Sequence, residues 1–385
     1  MNNPQKNGFK DFKVCDTHIH IVYPETVDSS EKILSEIIEY FGYSRIAIQC
    51  LTAGSGHRDF DYANNLKALY LKEKLNEKNP GSVFVYGNPI HYFDERDTAD
   101  SYLEQVKTLH EMGVDGIKLL DGKPSLRKRL GRKLSDPVYD KMYAYLEENE
   151  IPVKMHVADP PKYWGPKEDQ TEYAIMRGWW CGDGTFPSFQ DLHDEVYEIL
   201  EKFPKLHFCA AHCFYISHDI EQMKMFFEKW ENTSFDLTPG QSNLLEFSKK
   251  PEEWKEFFKK YSHRIFFGTD TYNQFAEGDG LEKYDQYWSA PTVVRKFFEK
   301  TPEDDFDVAV GHLVPLNMDD DVLKNIYFGS HEKLHPATKP LNKELIVSEA
   351  KKLLEGINNR TVPFEEESDY PLEKGNLEQI IKYFE

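Results

Sequence analysis

The sequence predicts an α/β fold, a (β/α)8 TIM barrel, because short apolar runs alternate with longer amphipathic stretches along its 385 residues. Near-continuous apolar strands separated by helices are typical of a parallel sheet covered by helices. Eight such runs favour a closed barrel over an open doubly wound sheet. The predicted strands are KVCDTHIHIV (13–22), RIAIQCL (45–51), SVFVYGNPI (82–90), DGIKLL (115–120), IPVKMHVA (151–158), LHFCAAHC (206–213), TSFDLT (233–238) and RIFFGTD (264–270). The predicted helices include 30–42, 61–78, 101–113, 137–150, 189–203 and 217–230.

Three connections are too long for plain barrel loops: 121–135 after the fourth strand, 159–188 after the fifth and roughly 271–318 after the eighth. All three follow strands, so we expect them at the carboxyl-terminal mouth, where barrel enzymes place substrate loops. The tail, about 337–385, mixes helical stretches with an acidic segment and is expected to pack on the outside of the barrel. We therefore predict one domain that spans residues 1–385.

The overall charge argues against two classes of partner, and the apolar runs and cysteines indicate where the protein is expected to reside. A formal net charge of −20 argues against binding to nucleic acid or to an anionic membrane surface, because phosphate neutralisation needs clustered cations. We see neither the apolar core of a secretory signal nor a run approaching the roughly 20 apolar residues of a membrane span. The five cysteines are scattered and form no CxxC pair, which predicts reduced thiols in a cytoplasmic protein.

The first candidate for chemistry is the segment Asp16-Thr17-His18-Ile19-His20 at the end of the first strand. Side chains alternate faces along a strand, so His18 and His20 point the same way and can chelate one ion. The chain has 14 histidines, and a chance HxH is expected roughly half a time in such a sequence, so the motif alone is weak.

The other candidates also come at the ends of predicted strands. His156 ends the fifth strand, His212 the sixth and Asp270 the eighth. The carboxyl ends of barrel strands share one mouth, so we expect these side chains to converge with His18 and His20. Three such imidazoles together with the carboxylate are a ligand set for Zn²⁺ or a similar divalent ion.

Gly268 shares the inward face of the eighth strand with Asp270. Its missing side chain either leaves space beneath an ion or relieves crowding inside the barrel, and the sequence does not separate these two interpretations.

Together these segments resemble the amidohydrolase superfamily. The similarity rests on DTHIH, GIKLL, VKMHVADP, the stretch from FPSFQDL to FPKLHFCAAHCF, and FFGTD, and it runs in chain order from residue 13 to about 335. It is strongest to the amidohydrolase-2 branch of TIM-barrel metal-dependent hydrolases, which also includes aminocarboxymuconate-semialdehyde decarboxylase and resorcylate-type decarboxylases. In the closing segment VLKNIYFGSHEKLH, Ser330 stands where the branch usually has an asparagine.

The resemblance implies a site with one divalent ion, most simply Zn²⁺, with Mn²⁺ or Fe²⁺ as alternatives. His18, His20, His156 and Asp270 match the metal-binding positions, and Asp270 would also orient or deprotonate a water. His212 matches the histidine of the sixth strand, which in this branch sits beside the metal-bound water as a catalytic group. Lys118 lies on the fourth strand, where some superfamily members carry a carboxylated lysine between two metals; we favour one metal with Lys118 near the substrate.

Two mouth loops offer further substrate-binding candidates. The loop DGKPSLRKRLGRKLSD is rich in cations, and Arg127 within it could bind a carboxylate or phosphate. Pairing of these cations with acidic neighbours is the alternative. The loop after the fifth strand holds Trp164 and other aromatic residues, which either stack on a ring substrate or anchor the loop to the barrel rim.

The sequence therefore predicts an enzyme that uses a metal-activated water to hydrolyse an amide, ester or lactone of a small substrate, with anionic and cyclic compounds as candidates. The alternative is a non-oxidative decarboxylase, a lyase, acting on a small aromatic or unsaturated carboxylate on the same scaffold. A non-catalytic interaction protein that retained the barrel is a third hypothesis. Assembly into a homo-oligomer is compatible with such barrels, but no residue pattern demonstrates it.

Overall fold

A computed structural model gives the arrangement of most of the chain. The described residues are 8–21, 26–52, 63–238, 241–272, 280–281, 291–308, 311–361 and 369–385. Parts of the predicted connection after the eighth strand (273–279, 282–290 and 309–310), the first two residues of the predicted helix 61–78 and most of the acidic segment of the tail (362–368) lie outside them.

Nine strand segments form one parallel sheet, which confirms the predicted α/β barrel. They are β1 Cys15–His20, β2 Arg45–Gln49, β3 Val83–Gly87, β4 Gly116–Gly122, β5 Val153–Val157, β6 Phe208–Ala210, β7 Thr233–Asp236, β8 Ile265–Phe266 and β9 Thr271–Tyr272. Their order in the sheet is β8-β7-β6-β5-β4-β3-β2-β1-β9. Each strand from β1 to β7 therefore pairs with the strand that follows it in sequence, as in a singly wound barrel.

The two edges of this sheet are joined by one stretch of chain. β8 pairs with β7, and β9, which begins five residues after β8 ends, pairs with β1. Between them, Thr17 N donates to Phe267 O at 3.0 Å and Asp270 N donates to His18 O at 2.8 Å. The predicted strand 264–270 is thus interrupted rather than continuous, and its break turns Asp270 towards β1.

Helices follow most strands and cover the outside of the barrel. They are α1 Val27–Phe41, α2 Asn64–Lys78, α3 Ala99–Met112, α4 Pro124–Leu130, α5 Asp140–Glu148, α6 Glu172–Met176, α7 Phe189–Lys202, α8 Ile220–Lys229, α9 Gln241–Lys249, α10 Pro251–Tyr261, α11 Pro291–Glu299, α12 Asp320–Lys324, α13 Ser330–Leu334, α14 Lys343–Asn358 and α15 Asp369–Phe384. Local signals set several of their ends. At the start of α7, Ser188 and Asp191 form a reciprocal capping box, and Gly42, with a φ of 67°, caps the carboxyl-terminal end of α1.

The main hydrophobic core lies between the sheet and its helices and includes Ile46, Ile48 and Val85 on the strands. Ala47, Phe84 and Tyr86 form a separate cluster with the opposite strand parity, which places them inside the barrel. A near-continuous apolar strand can therefore face apolar surroundings on both sides.

The predicted long connections are present after the fourth, fifth and eighth strands. The first contains α4, and the second contains α6 and two short 3-10 turns. The described part of the third contains α11 and an antiparallel hairpin of β10 Phe306–Val308 and β11 Gly311–Leu313, which the sequence did not predict.

The carboxyl-terminal tail is largely helical and packs on the outer helices. In a buried contact, the Lys67 ammonium of α2 lies 2.8 Å from Glu373 on α15. No disulfide joins the five cysteines, all of which are in the described part of the chain. None of the helices described has both the length and the apolar composition needed to cross a bilayer.

Candidate metal centre

His18 and His20 lie on the inward face of β1 at the carboxyl-terminal end of the strand. Both are almost completely buried, and their Nε2 atoms are 3.1 Å apart. Period-two alternation brings the two rings to one side of the strand, as the sequence predicts.

The partners of the other ring nitrogen fix the tautomers of these imidazoles. His20 Nδ1 is 2.6 Å from Gln49 O, and His18 Nδ1 is 2.8 Å from a carboxylate oxygen of Asp236. Carbonyl and carboxylate oxygens only accept hydrogen bonds, so each Nδ1 must carry the proton. In the neutral rings, each Nε2 therefore presents a lone pair to the other.

Asp270 adds a carboxylate to this pair. Its Oδ1 lies 2.9 Å from His20 Nε2 and 3.6 Å from His18 Nε2, and its side chain is 19% exposed, more than either histidine. The residue adopts a φ of 58°, an uncommon conformation for a non-glycine residue. The break in the eighth strand thus places a partly accessible carboxylate against the two imidazoles.

His156 and His212 form a second pair beside the first. His212 Nε2 is 3.0 Å from His156 Nδ1, and the rings of His18 and His212 have centroids 5.3 Å apart. His212 Nδ1 lies 2.9 Å from Thr238 O and must carry the proton, so its Nε2 is also a lone-pair atom. His156 Nε2 is buried without a hydrogen-bond partner; Asp159 Oδ1 is 3.4 Å away.

A left-handed turn presents His212 to the site. Four consecutive non-glycine residues, from His212 to Tyr215, have φ between 52° and 59°. Such a run costs of order 1–2 kcal/mol per residue, so tertiary contacts must hold it. Two of them are the 2.8 Å hydrogen bond from His212 N to Asp236 and the 2.8 Å contact of His193 Nε2 with Phe214 O.

Asp236 at the end of β7 connects these groups, and sequence reasoning did not select it. Its Oδ2 is 2.8 Å from both His18 Nδ1 and Lys154 Nζ, and its Oδ1 accepts from His212 N and from Thr238 Oγ1 at 2.6 Å. The signal that could have found it is the one that found the others, a polar residue at the carboxyl end of a barrel strand.

The donor set fits a divalent cation. Ligand atoms of His18, His20 and Asp270 all lie within 4.8 Å of one another. Buried lone pairs that face each other and a carboxylate are unfavourable unless a proton or a cation lies among them. Imidazole nitrogen and carboxylate oxygen are the ligand types that Zn²⁺ and related ions prefer.

Burial controls the protonation of the imidazoles. Loss of solvation lowers the pKa of His18 and His156, and it lowers the pKa of His212 to about 3. Burial alone would raise the pKa of Asp270, but the contact with His20 and the other imidazoles hold it below its usual range. Near neutral pH the rings of His18, His156 and His212 are therefore neutral and the Asp270 carboxylate is ionised, a state that favours metal binding.

The three predicted substrate-binding residues have different surroundings. Lys118 is buried inside the barrel, with Nζ 3.1 Å from His18 Nε2. Arg127 makes a bidentate ion pair, 2.9 Å for each contact, with Glu195 on α7. Trp164 donates from Nε1 to Pro187 O at 2.9 Å, and its ring packs on Phe189. In this arrangement Lys118 adjoins the histidine cluster, whereas Arg127 and Trp164 hold mouth segments in place.

Gly268 is enclosed by the groups that orient the histidines. A Cβ built on it would lie 2.6 Å from Thr238 Cγ2 and 3.1 Å from His18 Cβ. We expect Gly268→Ala to lower the free energy of unfolding by about 1–3 kcal/mol and to weaken metal binding, because Thr238 must move. Urea unfolding and a metal titration measure the two effects.

Gly375 in α15 provides the matched control, since nothing lies within 4 Å of a Cβ built there. Gly375→Ala should raise stability by roughly 0.5–1 kcal/mol and leave metal binding unchanged. If both variants behave alike, the site does not depend on the space at Gly268.

The fold and the cluster define a class: a TIM-barrel protein with imidazole and carboxylate groups at the carboxyl ends of its strands. Comparison with known proteins specifies the family. The profile of the amidohydrolase family, in its amidohydrolase-2 branch, matches residues 88–307, and the chain belongs to this family of enzymes. The matched region contains His156, His212 and Asp270, whereas His18 and His20 precede it. No curated protein matches the chain.

Solved structures resemble the chain at low sequence identity. An uncharacterised TIM-barrel protein from Bordetella bronchiseptica has 13% identity and a TM-score of 0.50, with 84% of this chain and 98% of that chain covered. The 5-carboxyvanillate decarboxylase from Sphingomonas paucimobilis has 9% identity, 85% and 100% coverage and a TM-score of 0.48. A dihydroxybenzoic acid decarboxylase from Polaromonas sp. JS666, solved with manganese and 2-nitroresorcinol, has 11% identity, 84% and 96% coverage and a TM-score of 0.49.

Proposed function

We propose that this protein is a metal-dependent hydrolase that cleaves an amide, ester or lactone bond of a small substrate. The observation that carries the proposal is the convergence of acceptor atoms, with the Nε2 atoms of His18 and His20 3.1 Å apart and Asp270 Oδ1 2.9 Å from the second of them. His18, His20 and Asp270 would hold the ion together with His156, whose Nδ1 donates to His212 Nε2 and whose buried Nε2 therefore carries the lone pair. Zn²⁺ is the ion that this ligand set favours, with Mn²⁺ and Fe²⁺ as alternatives.

A bound divalent ion would polarise the carbonyl group of the substrate and lower the pKa of a water molecule. The chain's own groups would then handle the protons. Asp270, the most exposed carboxylate of the cluster, would accept the proton of the attacking water and return it to the leaving group.

The hydrogen bonds of His212 restrict the catalytic role that the family resemblance implies for it. Its Nδ1 proton is committed to Thr238 O, so its inward Nε2 can only accept a hydrogen bond. We therefore assign His212 to receive a proton or to contact the ion. Stabilising an oxyanion by donation would require prior protonation.

A specific observation favours decarboxylation as the second candidate. The Lys118 ammonium lies 3.1 Å from His18 Nε2, so a second cationic group adjoins the proposed metal position. A substrate carboxylate could bind between the metal ion and the Lys118 ammonium. When the bond to the carboxylate breaks and CO₂ leaves, a proton would be delivered to the carbon that carried it. Burial lowers the pKa of Lys118 to about 8, which leaves the ammonium form dominant at neutral pH.

The products formed in isotopically labelled water distinguish hydrolysis from decarboxylation. A panel of small amides, aryl esters and lactones, together with 5-carboxyvanillate, is incubated with purified protein that contains its metal. Hydrolysis puts one ¹⁸O from labelled water into the organic product. Decarboxylation in D₂O instead gives one CO₂ and a new C–D bond.

Metal removal completes the test. Chelation should abolish either activity, and readdition of Zn²⁺ or Mn²⁺ should restore it. Turnover that survives complete removal of metal would overturn the proposal, and a purified chain that binds no divalent ion would favour a non-catalytic barrel.

A further inference from the structure

Lys154 is a buried cation that the proposed chemistry does not use. It precedes His156 by two residues on β5, so both side chains point into the barrel, and it is 2% exposed. Its Nζ lies 2.8 Å from Asp236 Oδ2, 2.8 Å from Thr17 O and 3.0 Å from Thr17 Oγ1. An ammonium group has three donors, and these three contacts use all of them.

These contacts join three strands around one imidazole. Thr17 immediately precedes His18 on β1, Asp236 ends β7 and accepts from His18 Nδ1, and Lys154 on β5 connects the two. The ammonium therefore fixes the main chain that carries the ring relative to the carboxylate that orients it. Asp236 also receives the main-chain N–H of His212, so the same pair positions a second histidine.

We propose that the buried Lys154–Asp236 ion pair is a positioning device for the metal centre, which holds the His18 ring with its Nε2 lone pair directed at the ion. The inference rests on the proposed function, because it requires that a metal bind at His18. Groups that orient a ligand imidazole typically change metal affinity by about 10–100-fold when removed. A lysine buried only for stability would not affect the ion.

A matched buried pair elsewhere in the barrel allows the two roles to be separated. Lys72 on α2 lies 2.8 Å from Asp115 Oδ2 and 2.8 Å from Gly113 O, and its side chain is 2% exposed. Its surroundings resemble those of Lys154, but neither Lys72 nor Asp115 contacts a residue of the cluster among the contacts described. Lys72→Met should therefore destabilise the protein as Lys154→Met does, without changing the metal centre.

The experiment titrates metal-free protein with Co²⁺ and records the visible absorption, which reports the ligands of the ion. For Lys154→Met we expect affinity about 10–100-fold below the wild type and an altered spectrum. Lys154→Arg, which keeps a cation at this position, should recover part of the affinity. Lys72→Met should match the wild type in both readouts.

Asp236→Asn keeps the inference testable if Lys154→Met does not fold. The amide must present its NH₂ either to the Lys154 ammonium and His18 Nδ1–H or to His212 N–H, so one donor always faces another donor. We expect the same loss of Co²⁺ affinity. Wild-type affinity and spectrum in Lys154→Met or Asp236→Asn would overturn the inference alone, whereas failure of the wild-type protein to bind Co²⁺ would overturn the proposed function and the inference with it.

Discussion

Replacing Asp270 with asparagine is expected to lower turnover by about 10²–10⁴-fold while the barrel remains folded. Asparagine keeps the size of the side chain but cannot take up the proton that the proposed reaction removes from water. The variant is assayed at metal concentrations that saturate it, because loss of a carboxylate ligand also weakens metal binding. Turnover with the substrate found in the panel and metal content per chain are the two measurements.

Asp321→Asn is the control for this substitution. The Asp321 side chain on α12 is 96% exposed, and the variant makes the same change in net charge. It should retain wild-type turnover. If Asp270→Asn retains full turnover with metal bound, Asp270 has no part in proton transfer, and His212 becomes the remaining candidate for that step.

The placement of the histidines could be predicted from the sequence because it depends on simple periodicities. Alternation along β1 puts His18 and His20 on one face, and parallel strands bring His156 and His212 to the same mouth. The local backbone at these positions could not be predicted. The left-handed run at His212 and the φ of 58° at Asp270 oppose intrinsic preferences, and contacts between distant strands hold them.

The groups that orient the imidazoles were missed for a related reason. Asp236 and Lys154 look like ordinary polar residues in strands of a chain that contains 67 acidic and 47 basic residues. What distinguishes them is that they form a buried ion pair. Because the two residues are 82 positions apart, the sequence does not show that they pair. Arg127, by contrast, was selected as a substrate-binding candidate although it makes an ion pair within the chain. Its bidentate partner, Glu195, is 68 positions away and could not be identified from the sequence.

Among the single substitutions considered, removal of the Asp236 carboxylate is expected to lower the free energy of unfolding most. Asp236→Leu leaves the Lys154 ammonium buried without a charged partner, which typically costs about 3–5 kcal/mol. Burial alone would raise the pKa of Asp236, but Lys154 and His18 hold it well below its usual range, so the wild-type carboxylate stays ionised near neutral pH. The free energy of unfolding in urea, measured on metal-free protein, isolates this effect from metal binding.

A double-mutant cycle with Lys154→Met tests whether the loss arises from the unpaired charge. If it does, the double variant should be more stable than the sum of the single losses predicts, with a coupling of about 1–3 kcal/mol. Combining Asp236→Leu with Lys72→Met should instead give additive losses, because Lys72 pairs with Asp115. Additivity in both combinations would show that Lys154 and Asp236 act independently. Metal affinity should stay low in the Asp236→Leu/Lys154→Met protein even where stability recovers, since two apolar side chains restore packing but offer His18 Nδ1 no acceptor.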